Sequence, residues 1–268
     1  MFGVVPKSLW SRTCPADENN MCSWAMRCLL IENEDRLILV DTGMGNKQSE
    51  KFFGFYYLFG DDTLKGSIEK AGFSVEEITD VFITHLHFDH CGGAIEQDPA
   101  TGTLKPAFPN ARYWSNEDHW EWATNPNPRE KASFLKENIL PIQESGQLNF
   151  VKSDGSSWAK NVFPNIDVYF ANGHTERQMI PVLHYGDQTL IYSADLLPSI
   201  HHIPMPYVMG YDVRPLSTLK EKAEIFDFAL ANDAVFIFEH DLNNEAGLIH
   251  QTEKGVRLKE AGDLKNFI

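Results

Sequence analysis

A chain of 268 residues, 43% hydrophobic and 23% charged, carries ample apolar material for a sizeable core, which excludes collagen, disorder, a coiled coil and a disulfide-stapled miniprotein. With 23 Lys and Arg against 38 Asp and Glu, the formal charge of -15 repels phosphate backbones and anionic lipid heads, so the expectation is a small-molecule substrate, no nucleic acid and no membrane. No run reaches the roughly 20 apolar residues of a membrane span, and the amino terminus lacks the basic lead and apolar stretch of a signal peptide. Cys14, Cys22, Cys28 and Cys91 have no paired spacing, which fits a reduced, cytoplasmic chain.

There is no internal repeat, low-complexity tract or linker. Residues 22–31 and 36–40 read as two strands around the turn Glu32-Asn33-Glu34-Asp35, and the second ends in Asp41-Thr42-Gly43, where glycine permits a sharp exit. An aromatic run follows at 51–60 (KFFGFYYLFG). The spacing predicts a helix over 62–72, ended by Gly72, and a further segment opened by Ser74 and Glu77 as a capping box. Residues 80–84 (DVFIT) form a short buried strand that leads directly into His85-Leu86-His87-Phe88-Asp89-His90-Cys91-Gly92-Gly93. A strand at 111–115 precedes helices over 115–123 and 129–139, separated by Asn125-Pro126-Asn127-Pro128. Strands are expected at 167–171, 179–185 and 189–193, then an amphipathic helix over 217–232 and a strand at 234–238 running into Glu239-His240-Asp241. The alternation is that of a mixed α/β sandwich in one domain.

Four metal-capable side chains within six residues, His85, His87, Asp89 and His90, are costly unless something satisfies them. In an extended segment His85 and His87 project to one side, and a turn can bring Asp89 and His90 back toward the same centre. Three more polar residues stand at the ends of expected strands: His174, Asp195 and His240. Together these are seven N/O ligands, a number that suits two metal ions sharing one carboxylate. His119, His184 and His250 are read as ordinary hydrogen-bonded loop residues. Asp41 is read in two ways, as a turn-forming residue or as the partner of a ligand imidazole.

The ordered set His85-x-His87-x-Asp89-His90, His174, Asp195 and His240, with Asp41-Thr42-Gly43 before it and Gly173-His174-Thr175 within it, resembles the metallo-β-lactamase-fold hydrolases over about residues 25–245. The resemblance implies a four-layer αββα sandwich spanning 1–268 as a single domain, with insertions at about 44–72 and 115–150. It implies that His85, His87 and His174 hold a first metal, Asp89, His90 and His240 a second, and that Asp195 lies between them. True zinc β-lactamases usually carry a cysteine in place of Asp195 and are exported. The Phe238-Glu239-His240-Asp241 setting looks closest to acyl-homoserine-lactone lactonases and related esterases. Those lactonases have a tyrosine three residues after the bridging aspartate; here that residue is Pro198, and Tyr207 and Tyr211 follow on the next loop.

The function so implied is hydrolysis of a small ester or lactone by a hydroxide shared between two divalent ions, with Asp89 also orienting that nucleophile. Imidazole and carboxylate without thiolate make zinc the default, with iron and manganese as alternatives. The competing readings are a thioester or small phosphodiester hydrolase of the same fold, and an oxidoreductase resembling the one-iron persulfide dioxygenases. The aromatics Phe52, Phe53, Phe55, Tyr56, Tyr57 and Phe59, with Trp114, Trp120 and Trp122, read as satellite core, as a homodimer contact, or in part as an apolar wall suited to an acyl or aryl group.

Overall fold

The computed structural model describes every residue from Met1 to Ile268. The chain forms two compact units, residues 28–152 and residues 1–27 with 153–268. No helix is long and apolar enough to cross a membrane.

In the 28–152 unit the strands are β1 (Leu29–Asn33), β2 (Arg36–Val40), β3 (Asp80–Phe82), β4 (Ile95–Gln97), β5 (Leu104–Pro106), β6 (Arg112–Ser115) and β7 (Leu148–Phe150). Five of them make one sheet in the order β1-β2-β3-β6-β7, while β4 and β5 pair as a separate ribbon. The β1/β2 pair is an antiparallel hairpin, and from β2 onward the pairs are parallel. Parallel strands are covered on both faces. That is why β2 and β3 read in the sequence as unbroken apolar runs, and Leu39, Val81 and Tyr113 meet Phe108 and Ile139 in the core. The exception inside β3 is Asp80, which is buried and fully engaged. Arg36 grips both its oxygens at 2.9–3.0 Å, and Trp114 Nε1 and Thr79 Oγ1 donate to it at 2.8 and 2.7 Å. One carboxylate thus ties β2, β3 and β6 together, and its burial is offset by charge-assisted bonds.

The other unit holds a seven-stranded sheet of β8 (Trp158–Phe163), β9 (Ile166–Ala171), β10 (Gln178–Tyr185), β11 (Gln188–Tyr192), β12 (Val235–Ile237), β13 (Ala246–Thr252) and β14 (Gly255–Gly262), in the order β14-β13-β12-β11-β10-β9-β8. Only β11/β12 is parallel, and the crossover between them is the helix Pro215–Ala231. That helix buries Ile225, Phe226 and Ala229, and Phe226 meets Phe236 of β12 edge to face at 6.0 Å.

Several elements differ from expectation for physical reasons. The strand expected at 22–31 begins only at Leu29, because Ala25 and Arg27 donate their backbone N–H groups to the carbonyls of His240 and Glu239 instead. Only Glu50–Phe53 of the aromatic run is helical, capped by Ser49 Oγ. The expected 62–72 helix is Leu64–Lys70, capped by Thr63, and Gly72 follows with φ +93°. Glu77 does accept from the Ser74 N–H at 2.8 Å, yet the segment remains a turn. The helix expected over 129–139 starts at Lys136 instead, since the Asn127 side chain takes the N–H groups of Arg129 and Glu130 into a tight turn. The hairpin β13/β14 and the strands β4, β5, β7 and β8 carried no clear signal.

Candidate metal centre

In the 28–152 unit the histidine cluster and several of the residues around it follow the carboxyl ends of parallel strands. Asp41 follows β2, the histidine cluster follows β3, and Asn116 and His119 follow β6. Because these strands run side by side in one direction, their ends share one edge. After β3 the chain passes through His85, Leu86 and His87, and the single helical turn Phe88–Cys91 carries Asp89 and His90. Alternation sends the Leu86 side chain into the core, fully buried, while the flanking imidazoles face each other. His85 Nε2 and His87 Nδ1 are 3.1 Å apart, and His90 Nε2 is 3.8 Å from Asp89 Oδ2.

The opposite nitrogen of each ring is held from behind. His85 Nδ1 meets Thr84 Oγ1 at 3.1 Å, and His90 Nδ1 meets Asp41 Oδ2 at 3.0 Å. His87 Nε2 faces Glu130 Oε1 at 3.5 Å, a carboxylate fixed by Trp122 and Asn127. Asp41 accepts from the Thr84 N–H and the Thr84 hydroxyl as well, each at 2.7 Å, and sits at φ +57°. Asp41 thus both holds the strand exit and pairs with the imidazole of His90, a candidate ligand. The turn after the cluster needs glycine because two backbones cross there: a Cβ on Gly92 would stand 2.1 Å from the Met44 carbonyl oxygen, and one on Gly93 2.2 Å from that of Thr42. Lys47 donates to the Gly92 carbonyl, and burial lowers its ammonium to about 8.

In the other unit β9, β11 and β12 run in one direction, with β10 antiparallel between the first two, so His174, Asp195 and His240 leave one edge of the sheet. Asp195 sits on the short 3-10 turn Ala194–Leu196. Its two oxygens are shared out, Oδ2 at 3.0 Å from His174 Nε2 and Oδ1 at 3.0 Å from His240 Nε2. Again each ring is anchored behind. His174 Nδ1 meets Asp212 Oδ1 at 3.1 Å, and Thr218 donates to the other oxygen of Asp212 at 2.8 Å. His240 Nδ1 donates to the Ala25 carbonyl at 2.7 Å, and Trp24 stacks on its ring with centroids 5.1 Å apart. Glu221 accepts from the N–H groups of Asn172 and Gly173, fixing the loop that ends in His174. Burial works against a charged His174, yet Asp195 and Asp212 outweigh it and raise the imidazole to about 10.

The donor set suits metal ions on chemical grounds. Two imidazole nitrogens facing each other at 3.1 Å share a single proton or a cation, and a carboxylate with one oxygen on each of two imidazoles is the arrangement of a shared ligand. Each of the five rings turns one nitrogen to another metal-capable residue and the other to an oxygen, which fixes ring orientation. The 28–152 unit thus gathers His85, His87, Asp89 and His90, and the other unit gathers His174, Asp195 and His240.

Other residues sort differently from expectation. His119 is a buried member of the helix Glu117–Thr124, and its Nε2 accepts from the Leu86 N–H at 2.8 Å, so it is no ordinary loop residue. His184 pairs with Asp167 at 3.0 Å, and His250 is exposed on β13. Tyr207 packs on Phe2, whereas Tyr211 is 59% exposed. The aromatic run divides: Phe52 and Tyr56 pack on Phe88 at 5.2 and 4.9 Å, while Phe55, Tyr57 and Phe59 are exposed. Sequence reasoning missed Thr84, Glu130, Asp212 and the Ala25 carbonyl. Only Thr84, adjacent to His85, carried a positional hint.

Comparison with known proteins agrees with this geometry. The family model described as "Metallo-beta-lactamase superfamily" matches residues 27–253. An N-acyl homoserine lactonase of Bacillus cereus is 25% identical over 254 residues, covering 90% of this chain and 89% of its own. The solved structure of a probable metal-dependent hydrolase from Staphylococcus aureus superposes with TM-score 0.86 at 25% identity, covering 97% of this chain and 90% of its own. The dizinc quorum-quenching lactonase AidC, in complex with a hexanoyl-homoserine product, gives 0.69 at 24% identity over 88% and 79% of the two chains. The expected fold is thereby borne out.

Proposed function

Because this chain belongs to the metallo-beta-lactamase superfamily, we propose that it is a dinuclear metal-dependent hydrolase that opens a small ester or lactone. The observation that carries the reading is the set of five imidazoles, each anchored by an oxygen behind and turned toward a further ligand in front. His85, His87 and His174 would hold one ion, Asp89, His90 and His240 the second, and Asp195 both. Zinc is the default for imidazole and carboxylate donors. Relatives named N-acyl homoserine lactonase, at 25–26% identity, support a lactone among the possible esters. The matched span of 27–253 supports reading 1–268 as one hydrolase domain, with 44–72 and 115–150 as its insertions.

When bound, the ions supply Lewis acidity and make water a nucleophile near neutral pH. The chain's own residues do the rest. Asp89, whose side chain keeps 28% exposure, would accept a hydrogen bond from the attacking water and orient it toward the carbonyl carbon. Asp41, Glu130 and Asp212 hold the ligand rings in place through the reaction, so no reorientation is needed as charge develops. Phe52, Tyr56 and Phe88 put apolar surface beside the cluster, which suits an acyl group.

The test is metal per chain after dialysis, together with rates on lactones, aryl esters, thioesters and phosphoesters. Two ions per chain, with chelation abolishing lactone or ester hydrolysis and zinc or manganese restoring it, is the expected result. Full activity without metal, or one iron with oxygen uptake, overturns the reading.

A further inference from the structure

The backbone donors that follow β3 can be followed one by one. Ile83 donates to the Trp114 carbonyl, Thr84 to Asp41, Phe88 to the Ser133 carbonyl, and His90 and Cys91 to the His87 carbonyl. The Leu86 N–H, between the two histidines, goes instead to a side chain, that of His119, 33 residues on. A backbone N–H can only donate, so His119 Nε2 is an unprotonated acceptor and the ring is neutral, with its proton on Nδ1.

The ring is also packed in place. It meets His85 at 6.4 Å and Phe134 at 5.9 Å between centroids, and Phe134 in turn meets His87 at 4.8 Å. Asn116 caps the helix by accepting the His119 N–H at 2.9 Å, which fixes where the ring enters. The residue is 1% exposed, so water cannot stand in for it.

We propose that His119 is a positioning residue for the metal motif: its Nε2 holds the Leu86 peptide and so sets the angle at which His85 and His87 face each other. A rotation of that peptide would move both imidazoles at once, since they flank it on one face. The inference rests on the ligand set proposed above, but its contact belongs to the metal-free chain as well.

Three full-length variants separate positioning from bulk packing. His119→Gln keeps an acceptor at the reach of Nε2, His119→Leu fills the space without one, and His119→Asn keeps an amide that stops short of Leu86. Zinc affinity is read by competition with a chelator, and Leu86 amide exchange is read on the metal-free protein, alongside thermal stability. His119→Leu and His119→Asn should weaken zinc binding by about 10–100-fold, the range seen when a group that orients a ligand is lost. Both should speed Leu86 exchange, and His119→Gln should recover most of each loss. Wild-type zinc affinity in both His119→Leu and His119→Asn overturns the proposal, as does a Gln variant that loses as much as they do. Should His119→Leu fail to fold, the Gln and Asn pair decides. If wild type binds no zinc, the hydrolase reading falls, and Leu86 exchange across the variants still decides the His119 contact.

Discussion

The two groups of candidate ligands are assembled by different means. In the 28–152 unit four metal-capable side chains lie within six consecutive positions, and a strand end with one helical turn gathers them locally. In the other unit His174, Asp195 and His240 are spread over three strand ends, and only the order of a seven-stranded sheet brings them to one edge. The local group is contacted from outside by Asp41, Thr84, His119 and Glu130. The dispersed group is brought together by the sheet, its two imidazoles face the oxygens of Asp195, and each is anchored behind, by Asp212 and by the Ala25 carbonyl. Density in sequence and rigidity in space are separate properties. Both groups lean on oxygens supplied from elsewhere in their own unit.

The sharpest way to break this comparison is Asp195→Ala. It removes the oxygens facing both His174 and His240, so metal per chain after dialysis should fall below that of wild type at both sites. With several kcal/mol of transition-state stabilisation lost, kcat/KM should drop about 1000-fold or more. Two ions retained as tightly as in wild type would show that Asp195 is not the shared ligand.

Asp41→Ala tests the support of the dense group. It strands the buried Thr84 N–H, the Thr84 hydroxyl and His90 Nδ1 together, so unfolding stability should fall by about 3 kcal/mol. Metal affinity should fall by about 10–100-fold as His90 loosens. Chemical denaturation and metal competition read the two effects. A stability loss with unchanged metal affinity would confine Asp41 to a turn-forming role.

A pH series addresses the loop that precedes Asp212. Burial lowers the Lys222 ammonium to about 7, although it donates to the carbonyls of His202 at 2.6 Å and Pro204 at 3.1 Å. Between pH 7 and 10 the unfolded chain therefore binds the extra proton, and stability should rise with pH across that window. The rise is at most about 4 kcal/mol by linkage. Lys222→Met should abolish it, and an identical pH profile for wild type and variant would exclude Lys222 as the cause.

The smallest expected effect is Asp212→Asn. An amide oxygen can still meet His174 Nδ1, so the ring stays oriented while the negative charge is lost. Metal affinity should weaken by about tenfold or less, measured by the same competition. A loss equal to that of Asp195→Ala would mean that the dispersed group depends on its support as heavily as the dense one does.

Sequence alone determined the ligand candidates, the strand that delivers the cluster, the helix after Arg214 and the family pattern. Each rests on short-range signals: alternation of side chains, apolar runs in covered strands, and metal-capable residues at strand ends. The pairing of those residues with the groups behind them was decided only by tertiary structure. Thr84 with Asp41, Glu130 with His87, Asp212 with His174, the Ala25 carbonyl with His240 and His119 with Leu86 join positions up to 215 residues apart. His119 shows the reason most plainly. A histidine on a helix carries no mark of which backbone N–H it will meet. Its partner is set by the parallel register of β3 beside β6, a long-range hydrogen-bond pattern that no local spacing encodes.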